Sequence, residues 1–258
     1  VAVSDTFEAL CGFRAMAATR ASIERLAELD AASGEPRPEL FHQWLAFARG
    51  DSGIRAMFEW MISATDPVPE LVQRVTVLAV TDDDECALVR TLAQYYPGDP
   101  GVLIALMLNH VSLRKGEALF LPAGNIHAYL RGVGIELMAS SDNVLRGGLT
   151  PKHIDVAELL SVLDFSASPV PYLPPLALGE AARAFRPPVR DFQLMDIAGD
   201  CVVDISSAAI MLCTSGEFVV EGALGSVTLT RGGSVFSTAD EGQLMIRGSG
   251  QLFVAATQ

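Results

Sequence analysis

Basic residues, cysteines and long apolar runs are what this chain of 258 residues has least of. Lys+Arg number 18 against 31 Asp+Glu, a net charge of −13, which argues against a nucleic-acid or anionic-membrane surface as partner. Lysine is scarcest, with Lys115 and Lys152 the only two. The four cysteines, Cys11, Cys86, Cys201 and Cys213, include no C-x-x-C pair, so neither a zinc ribbon nor a dithiol redox motif is written here. Each is expected in the core as a small apolar residue. Hydrophobic residues make up 50% of the chain, yet no apolar run approaches the roughly 18 residues of a membrane span. The opening VAVSDTFEAL has no basic region leading into an apolar stretch, so the expectation is a soluble, cytoplasmic chain without a secretory signal. The length suffices for two domains with real cores.

From Thr6 to about residue 96 the periodicity predicts helices. Thr6 is expected to cap the first, with Phe7, Leu10, Cys11 and Phe13 close to one face. RASIERLAEL, ELFHQWLAFARG, GIRAMFEWMI (introduced by Asp51 and Ser52), ELVQRVTVLAV and ECALVRTLAQYY follow. Asp82, Asp83 and Asp84 lead into the last, where acids suit the helix dipole, so capping explains them better than a cation site. His42, beside Trp44, is read as structural or surface.

Pro97-Gly98-Asp99-Pro100-Gly101 then stops the helices. A strand-like period is read through VLIALML, GEALFLP, IHAYLR and VGIELMA, followed by a polar loop and a short helix, IDVAELLSVL, begun by Asp155. The Pro-rich SPVPYLPPL, residues 168 to 176, reads as a linker. Beyond it FQLMDI, AAIMLCT, GEFVVEG, SVTLT, GSVFST, GQLMIRG and QLFVAAT alternate with Gly-containing turns, the signature of an all-β sandwich or barrel.

Chemistry concentrates between residues 116 and 152, GEALFLPAGNIHAYLRGVGIELMASSDNVLRGGLTPK. Gly116, Pro122, Gly124 and His127 form G-x5-P-x-G-x2-H, in which a glycine allows a tight entry, Pro and Gly fix a turn, and His127 starts the next strand. A neutral imidazole on a rigid strand suits a borderline divalent metal. A satisfied structural histidine is the other reading of the same residue.

This pattern resembles the second metal motif of the cupin superfamily, with Arg131 where that motif usually has Asn. HAYLRGVGIELMASSDNVLRGGLTPKHIDVAELL, preceded by YYPGDPGVLIALMLNHVSLRKGEALFLPAG and by FEALCGFR at Phe7 to Arg14, resembles type I phosphomannose isomerase, a zinc enzyme family. The match covers most of residues 7 to 165, SDNVLRGGLTPK being its most specific part. The resemblance implies an α+β fold: a helical domain over 1–98, the C-terminal portion of a catalytic cupin barrel (jelly-roll) over 99–166, and a C-terminal, metal-free, cupin-like β domain over 167–258. In that family about a third of the protein, with a Gln, a His and a Glu as zinc ligands, precedes FEALCGFR. The chain, beginning at Val1, is therefore expected to be a C-terminal portion of a longer or processed enzyme.

An internal repeat agrees with two barrels. Shifted by 116 positions, LRKGEALFLPAGNIHAYLRG lies over LTRGGSVFSTADEGQLMIRG, pairing Gly116 with Gly232, Phe120 with Phe236 and Gly132 with Gly248, while His127 falls on Gln243 and Pro122 on Thr238.

The implied activity is the zinc-dependent aldose–ketose isomerisation of mannose 6-phosphate and fructose 6-phosphate through an enediol-type intermediate. It would use one Zn2+, with His127 as the ligand in this chain and the others upstream of Val1. Arg146 would stabilise the enediolate, Lys152 and Asp142 would carry or orient protons, and Glu136 and Tyr129 would bind substrate. Tyr129 lies two residues after His127, hence on the same strand face. The plainer alternatives are an Arg146–Asp142 ion pair and a surface Glu136–Arg131 pair. The expected partners are a small sugar phosphate and the enzyme's own N-terminal segment, in a monomer. A non-catalytic sugar-binding cupin and an iron-dependent cupin oxygenase are the other classes this sequence admits.

Overall fold

A computed structural model describes residues 1–48, 53–141, 144–205 and 207–257. Strand β1 (Thr6–Phe13) is followed by helices α1 (Met16–Ala31), α2 (Pro38–Phe47), α3 (Gly53–Ile62), α4 (Val68–Leu78) and α5 (Asp84–Tyr95). One further helical turn, α6 (Gly101–Ile104), leads through a 3-10 turn into β2 (Leu108–Arg114), then come β3 (His127–Arg131) and α7 (Val156–Val162). Among the described residues no helix is long and apolar enough to cross a membrane.

The expected helix at Phe7–Phe13 is a strand. β1 lies at the centre of a three-stranded antiparallel sheet ordered β2-β1-β3, and its residues from Ala9 to Phe13 are buried. A central strand covered on both faces reads as a nearly continuous apolar run and so carries no alternation to betray it. Eight residues are also too few for a stable isolated helix. VLIALML departs in the opposite sense: Val102 to Met107 are helical and buried, and the strand begins only at Leu108. A short apolar run buried all round has no period that separates strand from helix. Asp99 fixes the turn start by accepting from the Gly101 N–H at 2.7 Å.

The remaining helices follow their local signals. Pro38 and Pro69 stand in the first turns of α2 and α4, where a missing N–H costs nothing. Asp83 caps α5 by accepting from Cys86 N–H, and Asp155 caps α7 by accepting from Glu158 N–H, both at 3.0 Å; each such cap is worth about 1 kcal/mol. Asp51 and Ser52 lie outside the described residues. His42 is exposed. The helices and one sheet face share a core in which Trp44, Phe41, Phe58, Leu10 and Phe13 are completely or almost completely buried.

GEALFLP and VGIELMA, expected as strands, form no strand ladder and are joined to the rest by isolated bridges, Leu119 to Tyr172 and Ala2 to Gly134. Ile135 N–H donates to Val1 C=O at 2.8 Å. The Pro-rich stretch is packed rather than free: Leu173 N–H donates to Ala118 C=O at 2.8 Å and Phe120 N–H to Pro171 C=O at 3.0 Å.

The C-terminal part is a β structure of β4 (Leu176–Ala177), β5 (Ala182–Phe185), β6 (Gln193–Ile197), β7 (Cys201–Asp204), β8 (Ala209–Glu221), β9 (Ser226–Thr230), β10 (Ser234–Ser237) and β11 (Gln243–Ala256). Two pairs of expected strands fuse here. AAIMLCT and GEFVVEG form the single β8, and GQLMIRG and QLFVAAT form the single β11. The two pair from Met245–Glu221 to Ala256–Ala209. Glycines that look like strand ends instead let the two backbones cross closely: a Cβ on Gly248 would stand 2.2 Å from Glu217 O. The repeat has a structural counterpart, since His127 opens β3 and Gln243 opens β11. With helices beside antiparallel β sheets the fold is α+β.

Candidate active site

His127 and Tyr129 project from the same face of β3, while the alternate residues Ala128 and Leu130 pack on the helical core. Their partners on β1 are Cys11, opposite His127, and Ala9, opposite Tyr129. The site face is thus the one away from the helices. It is floored by Ala2, Cys11, Val111 and Leu113, with Phe7, Leu119, Leu121 and Val170 around them. Burial pushes the Cys11 thiol up to about 11, so beside His127 it is a neutral group at physiological pH.

The imidazole is oriented by its own turn. His127 Nδ1 is 3.0 Å from Asn125 O, and because a backbone carbonyl only accepts, Nδ1 carries the proton. Nε2 is then the ring's free lone pair, the arrangement a metal-binding histidine needs. His127 is exposed.

Tyr129 is tied sideways to Glu136: its hydroxyl donates to Glu136 Oε1 at 2.5 Å, and its ring meets Phe7 edge-on at 5.4 Å and His127 at 5.6 Å. Partial burial first, then the hydrogen bond to and the charge of Glu136, hold the phenol well above its usual range. The Glu136–Arg131 alternative is not what forms, for Arg131 pairs with Glu8 at 2.6 Å.

Arg146 enters from the loop after VGIELMA. Leu145 packs on the helical core with Ile126, and a Cβ on Gly147 would stand 3.2 Å from Ile126 Cδ1. The residue before His127 therefore lies against the loop at Gly147, the neighbour of the exposed Arg146. Gly148 presses on Gly101, with a would-be Cβ 3.1 Å from Gly101 Cα. Small residues let this loop lie directly on the scaffold. Lys152 is exposed, its backbone N–H donating to Thr150 Oγ1 at 3.2 Å. Asp142 lies outside the described residues, and so does its possible pair with Arg146.

The structure thus brings His127, Tyr129 and Glu136 together and places the Arg146 backbone beside the start of their strand. An open cleft of ≈ 530 Å³ is lined by Tyr95, Tyr96, Pro97, Gly98, Asp99, Thr150 and Pro151, one residue from Lys152, and none of the other candidates lines it. Among the described residues there is no group of three or more His, Cys, Asp or Glu able to hold a metal. His127 alone fits one corner of a tetrahedral centre. Asn125, which orients His127, is a residue that sequence reasoning misses; its only signal is its place in the turn two residues before the histidine.

In sequence and fold the chain is similar to solved phosphomannose isomerases. No protein-family model matches. The mannose-6-phosphate isomerase of Salmonella typhimurium is 42% identical over 168 residues, 64% of this chain and 43% of the relative. That of Rattus norvegicus is 32% identical over 262 residues, 93% of this chain and 62% of the relative. The chain thus spans less than two thirds of the length of these relatives. Crystal structures of the Salmonella typhimurium enzyme superpose over 99% of this chain and about 65% of theirs, one with TM-score 0.85 and 29% identity being bound to its substrate and a zinc atom. Others are alanine variants of a histidine, a glutamate and an arginine.

Proposed function

We propose that this chain is the part of a zinc-dependent mannose-6-phosphate isomerase that carries His127 as a metal ligand and Arg146, Glu136 and Tyr129 around the substrate. The carrying observation is a spacing joined to a geometry. The histidine, glutamate and arginine replaced in the Salmonella variants are 9 and 10 residues apart, as are His127, Glu136 and Arg146 here. In this fold these three come from one strand and the loop segments packed beside it.

Bound zinc would polarise substrate oxygens as a Lewis acid. The chain's own residues would do the rest. Interconverting aldose and ketose means taking a proton from C2, returning one to C1, and moving a hydroxyl proton between O1 and O2, with negative charge on oxygen in between. Arg146, always charged and free of ion pairs among the described residues, would stabilise that charge. The neutral Tyr129 hydroxyl and the Glu136 carboxylate would hold sugar hydroxyls. Lys152 and Asp142 are the candidates for moving the proton. The other zinc ligands would come from a segment preceding Val1, on the same polypeptide or an associated one, and the enzyme would work as a cytoplasmic monomer. The domain limits 1–98, 99–166 and 167–258 belong to the same proposal.

A coupled assay of mannose 6-phosphate turnover with Arg146→Ala, in the chain joined to an upstream segment that supplies the other zinc ligands, tests the assignment. Loss of a charge-stabilising donor should lower kcat about 10²- to 10³-fold with little change in zinc content. A variant of near wild-type kcat would remove Arg146 from the chemistry.

A further inference from the structure

The orientation of His127 traces back to a bulge on the neighbouring strand. At Gly12 the pairing of β1 with β2 slips between Cys11 and Phe13, and the Gly12 backbone is left-handed, φ +59. From this conformation the Gly12 N–H donates to Ile126 C=O at 2.8 Å, the peptide group that leads into His127. Asn109 on β2 locks the bulge, its Nδ2 donating to the carbonyls of Cys11, Gly12 and Ser168 at 3.1, 3.2 and 3.1 Å. A Cβ at Gly12 would stand 2.9 Å from Ser168 Oγ and 3.0 Å from Asn125 Nδ2, so those side-chain ends would have to shift, on a left-handed backbone that disfavours any residue but glycine. The turn is held at its other end too, where Asp164 N–H donates to Gly124 C=O at 3.0 Å. Asn125, pressed between these clamps, is the residue whose carbonyl faces His127 Nδ1 at 3.0 Å.

We propose that Gly12 and Asn109 are positioning residues for His127: by fixing the Asn125–Ile126 peptides they impose the tautomer protonated on Nδ1 and present Nε2 to the open face. The use of that lone pair as a zinc ligand rests on the function proposed above, whereas the tautomer is a property of this chain without metal. Residues on the adjacent strand β1 and on β2 beyond it thereby decide how the ligand is presented. An error of one tautomer would turn an N–H toward the metal instead of a lone pair.

Long-range proton–nitrogen correlation spectra of the full, metal-free chain labelled in histidine, at pH about 8.5 so that an ordinary imidazole is neutral, read this directly, with His127 assigned by its loss in His127→Gln. The expected result is one tautomer, protonated on Nδ1, in the wild type, and averaged ring-nitrogen shifts in Gly12→Ala and Asn109→Ala. A wild-type ring protonated on Nε2, or already averaged, overturns the proposal whether or not the variants fold. Folded variants that keep the wild-type pattern overturn it equally. In the chain joined to an upstream segment that supplies the other ligands, zinc binding and isomerase activity lost in His127→Ala but unaffected by Gly12→Ala would leave the function standing and this role of Gly12 refuted.

Discussion

Tyr129 donates to Glu136 Oε1 at 2.5 Å from a phenol that partial burial and the carboxylate together keep neutral. The sign of the linkage is that of a group whose charged form the fold disfavours. Its contribution to stability is complete below the usual tyrosine pKa of about 10 and declines as pH rises beyond it. At about that pH Tyr129 should contribute no tyrosinate absorbance, so Tyr129→Phe leaves the ultraviolet titration up to there unchanged. A smaller absorbance rise in the variant would contradict the pairing. Glu136→Gln should bring the phenol down only in part, because burial is the larger cause.

The helical layer offers a stability test of its own. Asp30 is 1% exposed and accepts from Arg74 Nε at 2.5 Å and from the Arg37 N–H at 2.7 Å. Removing one member of a buried pair leaves the other charge uncompensated. Asp30→Ala should therefore cost about 3–5 kcal/mol in urea unfolding, and a second change, Arg74→Met, should recover part of it. A loss below about 1 kcal/mol, the size of a surface pair, would show that the site is wet.

Acid should loosen the joint between β1 and the helices. Glu85 accepts from Arg14 Nη1 at 2.6 Å and from Ser22 Oγ at 2.7 Å, and it also pairs with Arg25. Burial pushes this carboxyl up, but the Arg14 and Ser22 hydrogen bonds with the two guanidinium charges outweigh it and hold it below the usual range. A depressed carboxylate adds stability that is present above its unfolded pKa of about 4.3 and is lost as pH falls through the lower folded value. Thermal midpoints followed downward from pH about 5 should fall more steeply in the wild type than in Glu85→Gln. Parallel slopes would remove Glu85 from the acid response.

What the sequence makes legible and what it hides have different physical origins. His127 stands out because Pro122 and Gly124 write a turn into the chain, and the start of α7 because an Asp before an apolar period is a local signal. β1 reads as a helix because its burial on both faces is a tertiary fact, and residues 102–107 read as a strand because an unbroken apolar run has no period. β8 and β11 look interrupted in sequence since glycine marks a chain break and a close backbone crossing alike. The site residues are named by resemblance; the Tyr129–Glu136 bond and the Asn125 carbonyl that aims His127 depend on distances that no spacing encodes.

Zinc content measured together with isomerase activity, on this chain joined to the upstream segment of the Salmonella typhimurium relative, tests the central assignment most directly. The joined protein should hold about one zinc and convert mannose 6-phosphate to fructose 6-phosphate, and His127→Ala should lose both. Full zinc occupancy and undiminished turnover in His127→Ala, or a folded joined protein with neither zinc nor turnover, would contradict it.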